Sequence, residues 1–257
     1  MTGNASALGG LFTGAADMAF MDRGVWATEH DAFQQGTGHD PFSVAVATGS
    51  LDVPHHAPAL IIFVNRKNPL GNLSMAQLDG VFDADRRRGA AAIRTWGDLG
   101  LTGEWKRRPI HPYGYEILRR QSQHFEHLVM LGGQKWNCDL REVRGSGGAA
   151  SAAIQQQVAS DPDAIAFATL EARNPGVKAL AIDGIAPSEA TIASRQYALV
   201  QDLYIYLNRR PGEPIQPMLR EFILYILSPQ GRGVLEREHG YLPLPDQMAA
   251  QQREKLQ

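Results

Sequence analysis

The tightest constraint on this chain is an unbroken apolar run, Ala59-Leu60-Ile61-Ile62-Phe63-Val64, set directly behind Pro58. Such a segment has no face to offer water, so it suits a strand covered on both sides. Pro58 cannot donate to a ladder and marks its start. Around it, helical and extended patterns alternate from end to end, which is the signature of an α/β fold. Ser6–Thr13 reads as a short helix, Asp17–Met21 as a strand and Arg23–Phe33 as a helix or turn. Val44–Ala47 is a further strand. Ser74 is placed to cap a helix running to Phe82, and another helix is expected over Ile117–Leu131. Gly145-Ser146-Gly147-Gly148 leads into a helix over Ala149–Ala159, which stops before Asp161-Pro162. Ala164–Ala168, Val177–Ile182 and Asp202–Asn208 read as strands. Pro217–Leu227, Pro229–Glu238 and the polar stretch Asp246–Gln257 read as helices.

Composition excludes several function classes. A formal net charge of -2 on 257 residues gives no electrostatic footprint for nucleic acid and no polybasic membrane patch. The one cysteine, Cys138, permits neither an intrachain disulfide nor a zinc cluster. No apolar run approaches the roughly 18 residues of a membrane span. Met1–Ser6 lacks a basic region followed by an apolar one, so it is not read as a signal peptide. On that reading the protein is either cytoplasmic or its start has been cut or misassigned.

Enzyme signatures are missing: there is no G-x-S-x-G, no Walker loop, no H-E-x-x-H and no C-x-x-C. No catalytic residue, metal ligand or cofactor is therefore assigned. His124 and His127 share one helix, but with no third ligand in view a surface helix is the simpler reading. His55-His56, between two prolines, reads as structural, and Arg86-Arg87-Arg88 as a solvated loop. The backbone N–H groups of the glycine-rich stretch around Ser146 could meet an anion, although a plain turn into a helix reads as well.

Whole phrases carry more. Thr13-Gly14-Ala15-Ala16-Asp17-Met18-Ala19-Phe20-Met21-Asp22-Arg23 resembles the "G-x-A-D-I-A-x-M-S-R" passage of the phosphate-binding proteins of ABC import systems. Phe63–Leu70 with Leu73–Leu78, Thr95–Trp105 with Arg108-Pro109-Ile110 and Tyr113-Gly114, Leu203–Asn208, Glu221–Ser228 and Gly240–Pro245 follow in that family's order. The resemblance covers nearly the whole chain. It implies a two-lobed type II periplasmic-binding-protein fold, with mixed sheets, helices on both faces and the first strand unit missing. The lobes would be residues 1–65 with 197–257, and residues 66–196, closing on a small anion. The ligand would be phosphate or a related oxyanion, the partner an ABC permease if the protein is exported, and the place periplasmic or extracytoplasmic. A monomer is expected.

The departures from the family fall on its ligand motifs. The family's Arg after Tyr-Gly stands at Tyr115, and its Ser-Gly-Thr stands at Arg119, Arg120 and Gln121. Its serine in "M-S-R" is Asp22, and a later Arg is Gln201. The resemblance then implies a site formed by Ser6, Asp22, Arg119, Arg120, Gln121, Ser146 and Gly147. A sensor or interaction protein with a changed or lost ligand is the alternative. Because the chain begins near the family's second unit, Asp17–Met21 is expected to have a bare edge or to be covered by the C-terminal tail.

Overall fold

The structure is a computed structural model and describes residues 4–53, 56–145, 147–170, 173–238 and 240–257. The chain divides into two compact units. One comprises Met1–Ala57, Ala193–Arg195 and Val200–Gln257, and the other Pro58–Ile192 with Gln196–Leu199.

The first unit opens with α1 (Asn4–Thr13), β1 (Ala19–Met21), α2 (Ala27–Thr37) and β2 (Phe42–Thr48). The second contributes β3 (Ile61–Asn65), β4 (Asn72–Leu73), α3 (Met75–Phe82), β5 (His111–Tyr115), α4 (Arg120–Leu128), β6 (Arg141–Val143), α5 (Gly147–Ser160), β7 (Ala164–Ala168), β8 (Val177–Ala179), β9 (Ala181–Ile182) and α6 (Glu189–Ala193). The chain then returns with β10 (Asp202–Leu207), α7 (Pro217–Ile226), α8 (Pro229–Glu238) and α9 (Asp246–Glu254).

In the first unit β10 lies between β1 and β2, antiparallel to both. Side chains alternate along β10 and so serve two cores. Ile205 and Leu207 join Val44 and Val46 against α7 and α9, while Tyr206 joins Ala19 and Met21 against α1 and α2. Among the described residues β1 pairs with β10 alone, so its other side is a sheet edge. The C-terminal tail expected there goes elsewhere. α9 packs on β2, where Gln252 Oε1 accepts a hydrogen bond from Ala45 N at 3.1 Å.

The second unit is built on a five-stranded sheet in the order β6-β5-β7-β3-β8, with β4 and β9 paired in parallel beside it. β5 runs parallel to β6 and β7, and β3 runs antiparallel to β7 and β8. The apolar run behind Pro58 is thus an interior strand, and every residue of β3 is buried. Since β3 pairs only with β7 and β8, it sits in the second unit. The expected lobe boundary after Asn65 moves to the Ala57–Pro58 junction.

α3 starts where Ser74 suggested. Ser74 Oγ accepts from Gln77 N at 3.1 Å, and Gln77 Oε1 accepts from Ser74 N at 2.8 Å. α4 is shorter than expected. Glu116–Arg119 form a turn before it, with Arg119 N bonded to Glu116 O at 2.8 Å, and Leu131 and Gly132 take left-handed φ values of 50° and 74° after it. The single strand expected over Val177–Ile182 is divided: Leu180 N bonds to Ile62 O, and β9 then turns to β4. The arginine run is not wholly solvated. Arg88 caps the end of α4, with Nε donating to Val129 O and Nη2 to Leu128 O, each at 2.6 Å.

Candidate anion site

In open α/β sheets, ligands gather at the C-terminal ends of the strands. β5 ends at Tyr115, and the chain turns directly into α4. Arg119 is the N-cap of that helix but makes no side-chain capping bond, and the first turn holds no acidic residue. A helix start of this kind, carrying Arg119, Arg120 and Gln121, turns backbone N–H groups and positive charge toward an anion. Two carboxylates already share the neighbourhood. Glu116 Oε2 accepts from Arg119 Nε at 3.0 Å, and Glu142 Oε2 from the backbone N of Ile117 at 2.9 Å. Arg119 therefore lies across the turn, bridged to Glu116, on an exposed surface.

Tyr115, at the family's arginine position, points its hydroxyl inward. Its Oη lies 2.7 Å from Ser151 Oγ and 3.3 Å from Thr169 Oγ1, and it accepts from Thr169 N at 2.9 Å. Ser151 and Thr169 also hydrogen-bond each other. The three residues are 2%, 1% and 1% exposed, so this is an internal polar network rather than a ligand contact. The network fixes the end of β5 from below. Gly114 is needed next to it, because a Cβ there would meet the Phe167 ring at 2.3 Å.

In the first unit, β1 delivers Asp22 to the surface half-buried, with Oδ1 accepting from Asn4 Nδ2 at 2.7 Å. Ser6, near the start of α1, is exposed. Arg23, next along the chain, is not available to a ligand. Its guanidinium donates to both Glu29 oxygens at 2.7 Å and to Gly24 O at 2.9 Å, and lies 3.5 Å from the Trp26 ring centroid. Gln201, at the family's second arginine position, is 3% exposed and its Oε1 has no partner among the described residues. Asp202, next to it in sequence, accepts from Arg195 on both oxygens, and Arg195 also donates to Thr48 Oγ1 at 2.9 Å.

Of the residues expected at the site, Arg119, Arg120 and Gln121 stand together at the α4 start, and Asp22 stands beside Asn4. Gly147 opens α5, and Ser146 lies outside the described residues. Sequence reading missed Glu116, Glu142, Thr169 and Ser151. Glu116 was within reach of sequence, since it stands two residues after the quoted Tyr113-Gly114 phrase. The others depend on pairing between distant segments. Among the described residues no three His, Cys, Asp or Glu side chains converge as metal ligands would. Among the described residues no helix is long and apolar enough to cross a membrane.

Comparison with known proteins agrees with this architecture. A family model described as a PBP superfamily domain matches residues 2–230. The phosphate-binding protein PstS of Pseudomonas aeruginosa is 31% identical over 254 residues, covering 96% of this chain and 74% of that protein. An ABC-type phosphate transport receptor from Vibrio cholerae superposes with a TM-score of 0.65 at 21% identity, covering 95% of this chain and 86% of that one. PstS from Borrelia burgdorferi gives 0.63 at 17% identity, over 94% and 84%. At these identities the solved structures speak to the fold, which is the type II periplasmic-binding-protein fold.

Proposed function

This chain belongs to the PBP superfamily and, within it, to the family of the PstS phosphate-binding proteins, and on that premise we propose that it captures phosphate or a related oxyanion as a solute-binding protein. The observation that carries the reading is the 31% identity over 254 residues, which runs through both compact units rather than one. The uncapped start of α4 supports it, because N–H groups and two arginines there suit an anion. The ligand-facing set under this reading is Ser6, Asp22, Arg119, Arg120, Gln121, Ser146 and Gly147. No catalytic step is included, since no nucleophile, base and orienting group can be named together. The reading extends to an extracytoplasmic place of work and delivery to an ABC permease.

Isothermal titration with inorganic phosphate tests it, with sulfate as the competing oxyanion. Phosphate should bind one-to-one and more tightly than sulfate. Replacing Arg119 and Arg120 together by Ala should weaken it by about 1.5–3 kcal/mol per lost charged hydrogen bond. Silence at millimolar phosphate would overturn the reading, and full affinity in the double variant would move the site away from α4.

A further inference from the structure

The opposite end of β5 carries a charged cluster that anion capture at α4 leaves unused. Asp161, in the turn between α5 and β7, gathers three groups on Oδ2. His111 Nδ1 lies 2.7 Å away, Tyr113 Oη donates at 3.1 Å, and Arg141 Nη1 donates at 3.3 Å. Arg141 also donates to Tyr113 Oη at 2.7 Å, with its guanidinium carbon 5.2 Å from that ring's centroid. Burial alone would raise the Asp161 carboxyl, but hydrogen bonds from His111 and from the backbone of Asp163 outweigh it and hold it below the usual range. Ionised Asp161 therefore takes the Nδ1 proton side of His111 and leaves Nε2 for another partner. His111, Tyr113 and Arg141 stand on β5 and β6, which are hydrogen-bonded neighbours, so backbone pairing fixes their spacing.

Beside this cluster opens a cavity of about 450 Å³. Arg94 and Arg141 bring positive charge to its lining, His111 an imidazole and Asp139 one carboxylate, and Ile93 and Ile110 supply apolar wall. Arg94 is held at its backbone, where its N–H donates to Asp98 Oδ2 at 3.0 Å. Its guanidinium makes no ion pair among the described residues. The volume falls within the roughly 300–1,000 Å³ of small-molecule sites, and the mixed lining is that of a pocket that orients an apolar body by one charged end.

We propose that this cavity is a second binding site, separate from the α4 turn, for a small organic carboxylate. The carboxylate would lie between Arg94 and Arg141, with its apolar body on Ile93 and Ile110. Guanidinium forks match a carboxylate bidentately, and Arg141, already held by Tyr113 and Asp161, loses little further freedom on binding. Asp139 and Asp161 next to those forks favour a monoanion over a dianion, which separates this pocket from one made for hydrogen phosphate. The two ends of β5 are about 13 Å apart at roughly 3.3 Å per residue, beyond the Debye length of about 8 Å at physiological salt. Occupancy of one end should therefore leave the other nearly unaffected.

Titration of the full chain with sodium benzoate tests the proposal, with benzamide as the uncharged isostere and with or without saturating inorganic phosphate. Benzoate should bind one-to-one at an affinity unchanged by phosphate. Benzamide should bind at least tenfold more weakly, and Arg94→Ala should cost tenfold or more. Arg94 is exposed, so that variant should keep the wild-type circular dichroism spectrum. Arg141→Gln provides a second variant with the same expected loss. No benzoate binding at millimolar concentration, equal binding of benzamide, displacement by phosphate, or undiminished binding in Arg94→Ala would each overturn it. If the chain fails to bind phosphate at all, the function proposed above falls, and the benzoate and benzamide titrations still decide this one.

Discussion

The two compact units tie their sheets together with different materials. In the unit from Pro58 to Ile192, the centre is aromatic. The Phe167 ring on β7 stacks on Phe125 of α4 with centroids 4.3 Å apart, and Trp136 and Phe82 lie at 5.5 and 5.6 Å. In the unit made of residues 1–57, 193–195 and 200–257, two bidentate arginine–carboxylate pairs flank the sheet: Arg23 with Glu29, and Arg195 with Asp202. Stacked rings do not titrate, whereas carboxylates do, and the pKa values of these two are shifted in opposite directions. For Glu29, burial pushes the carboxyl up, but hydrogen bonds from Arg23 and from Trp26 N pull it below the usual range. For Asp202, burial prevails over Arg195 and the carboxyl stays above that range. The stacked rings themselves should be indifferent to mild acid, and the two ion pairs finely balanced against it.

The largest expected effect breaks the aromatic side. Phe167→Ala removes the ring against which Phe82, Tyr115, Phe125 and Trp136 pack and should cost about 3–5 kcal/mol in urea denaturation. A loss under roughly 1.5 kcal/mol would mean that the cluster is not the centre of its unit. Next comes the charged side. Glu29→Gln leaves Arg23, 5% exposed, without its counter-charge, and should cost about 3 kcal/mol at pH 7.

The pH trend sharpens the comparison. The Glu29 contribution is present above the unfolded carboxyl value and lost as pH falls through its lower folded value, so Glu29→Gln should cost less at pH 3 than at pH 7. The Asp202 contribution is present below the unfolded value and lost as pH rises through its raised folded value. Asp202→Asn should therefore cost more at pH 3 than at pH 7. Parallel trends in the two variants would contradict the contrast drawn between the pairs.

Smaller effects concern the two sides of the α4 turn. Tyr115→Phe strips Thr169 N of its acceptor inside a buried network and should cost about 1–2 kcal/mol, read from the urea midpoint at constant m. Glu142→Gln removes an exposed carboxylate from the Ile117 N–H and should tighten phosphate by under about 1 kcal/mol, measured by titration. Weaker phosphate binding in that variant would show that Glu142 holds the turn in shape rather than competing for it.

Much of the fold is local in origin and so was legible. Ala164–Ala168 is strand β7 from end to end, and Ser74 with Gln77 marks the start of α3. Segments whose form depends on distant partners were not. β6, Arg141–Val143, is a polar edge strand with no apolar alternation to announce it, and it exists because β5 lies beside it. The break at Leu180 follows from its bond to Ile62 O, which no pattern within Val177–Ile182 signals. At the candidate site the departures were readable as residue types, and their consequences were not. That Tyr115 turns its hydroxyl into Ser151 and Thr169 depends on α5 lying over β5. The His111–Asp161 cluster likewise joins residues 50 positions apart.

The central position of β10 has a consequence for how the protein is made. Ala19 pairs with Tyr206 and Phe42 with Leu207, so neither β1 nor β2 has its partner until the ribosome has released residues beyond 207. Meanwhile Pro58–Leu199 can assemble, since all its strand pairing lies within that span. During synthesis at roughly 5–20 residues per second, the amino-terminal segment must wait for about 8–30 seconds with its apolar strands unpaired. The segment translated first is thus the one whose sheet is completed last, and chaperone capture should be sought on residues 1–57 of the nascent chain.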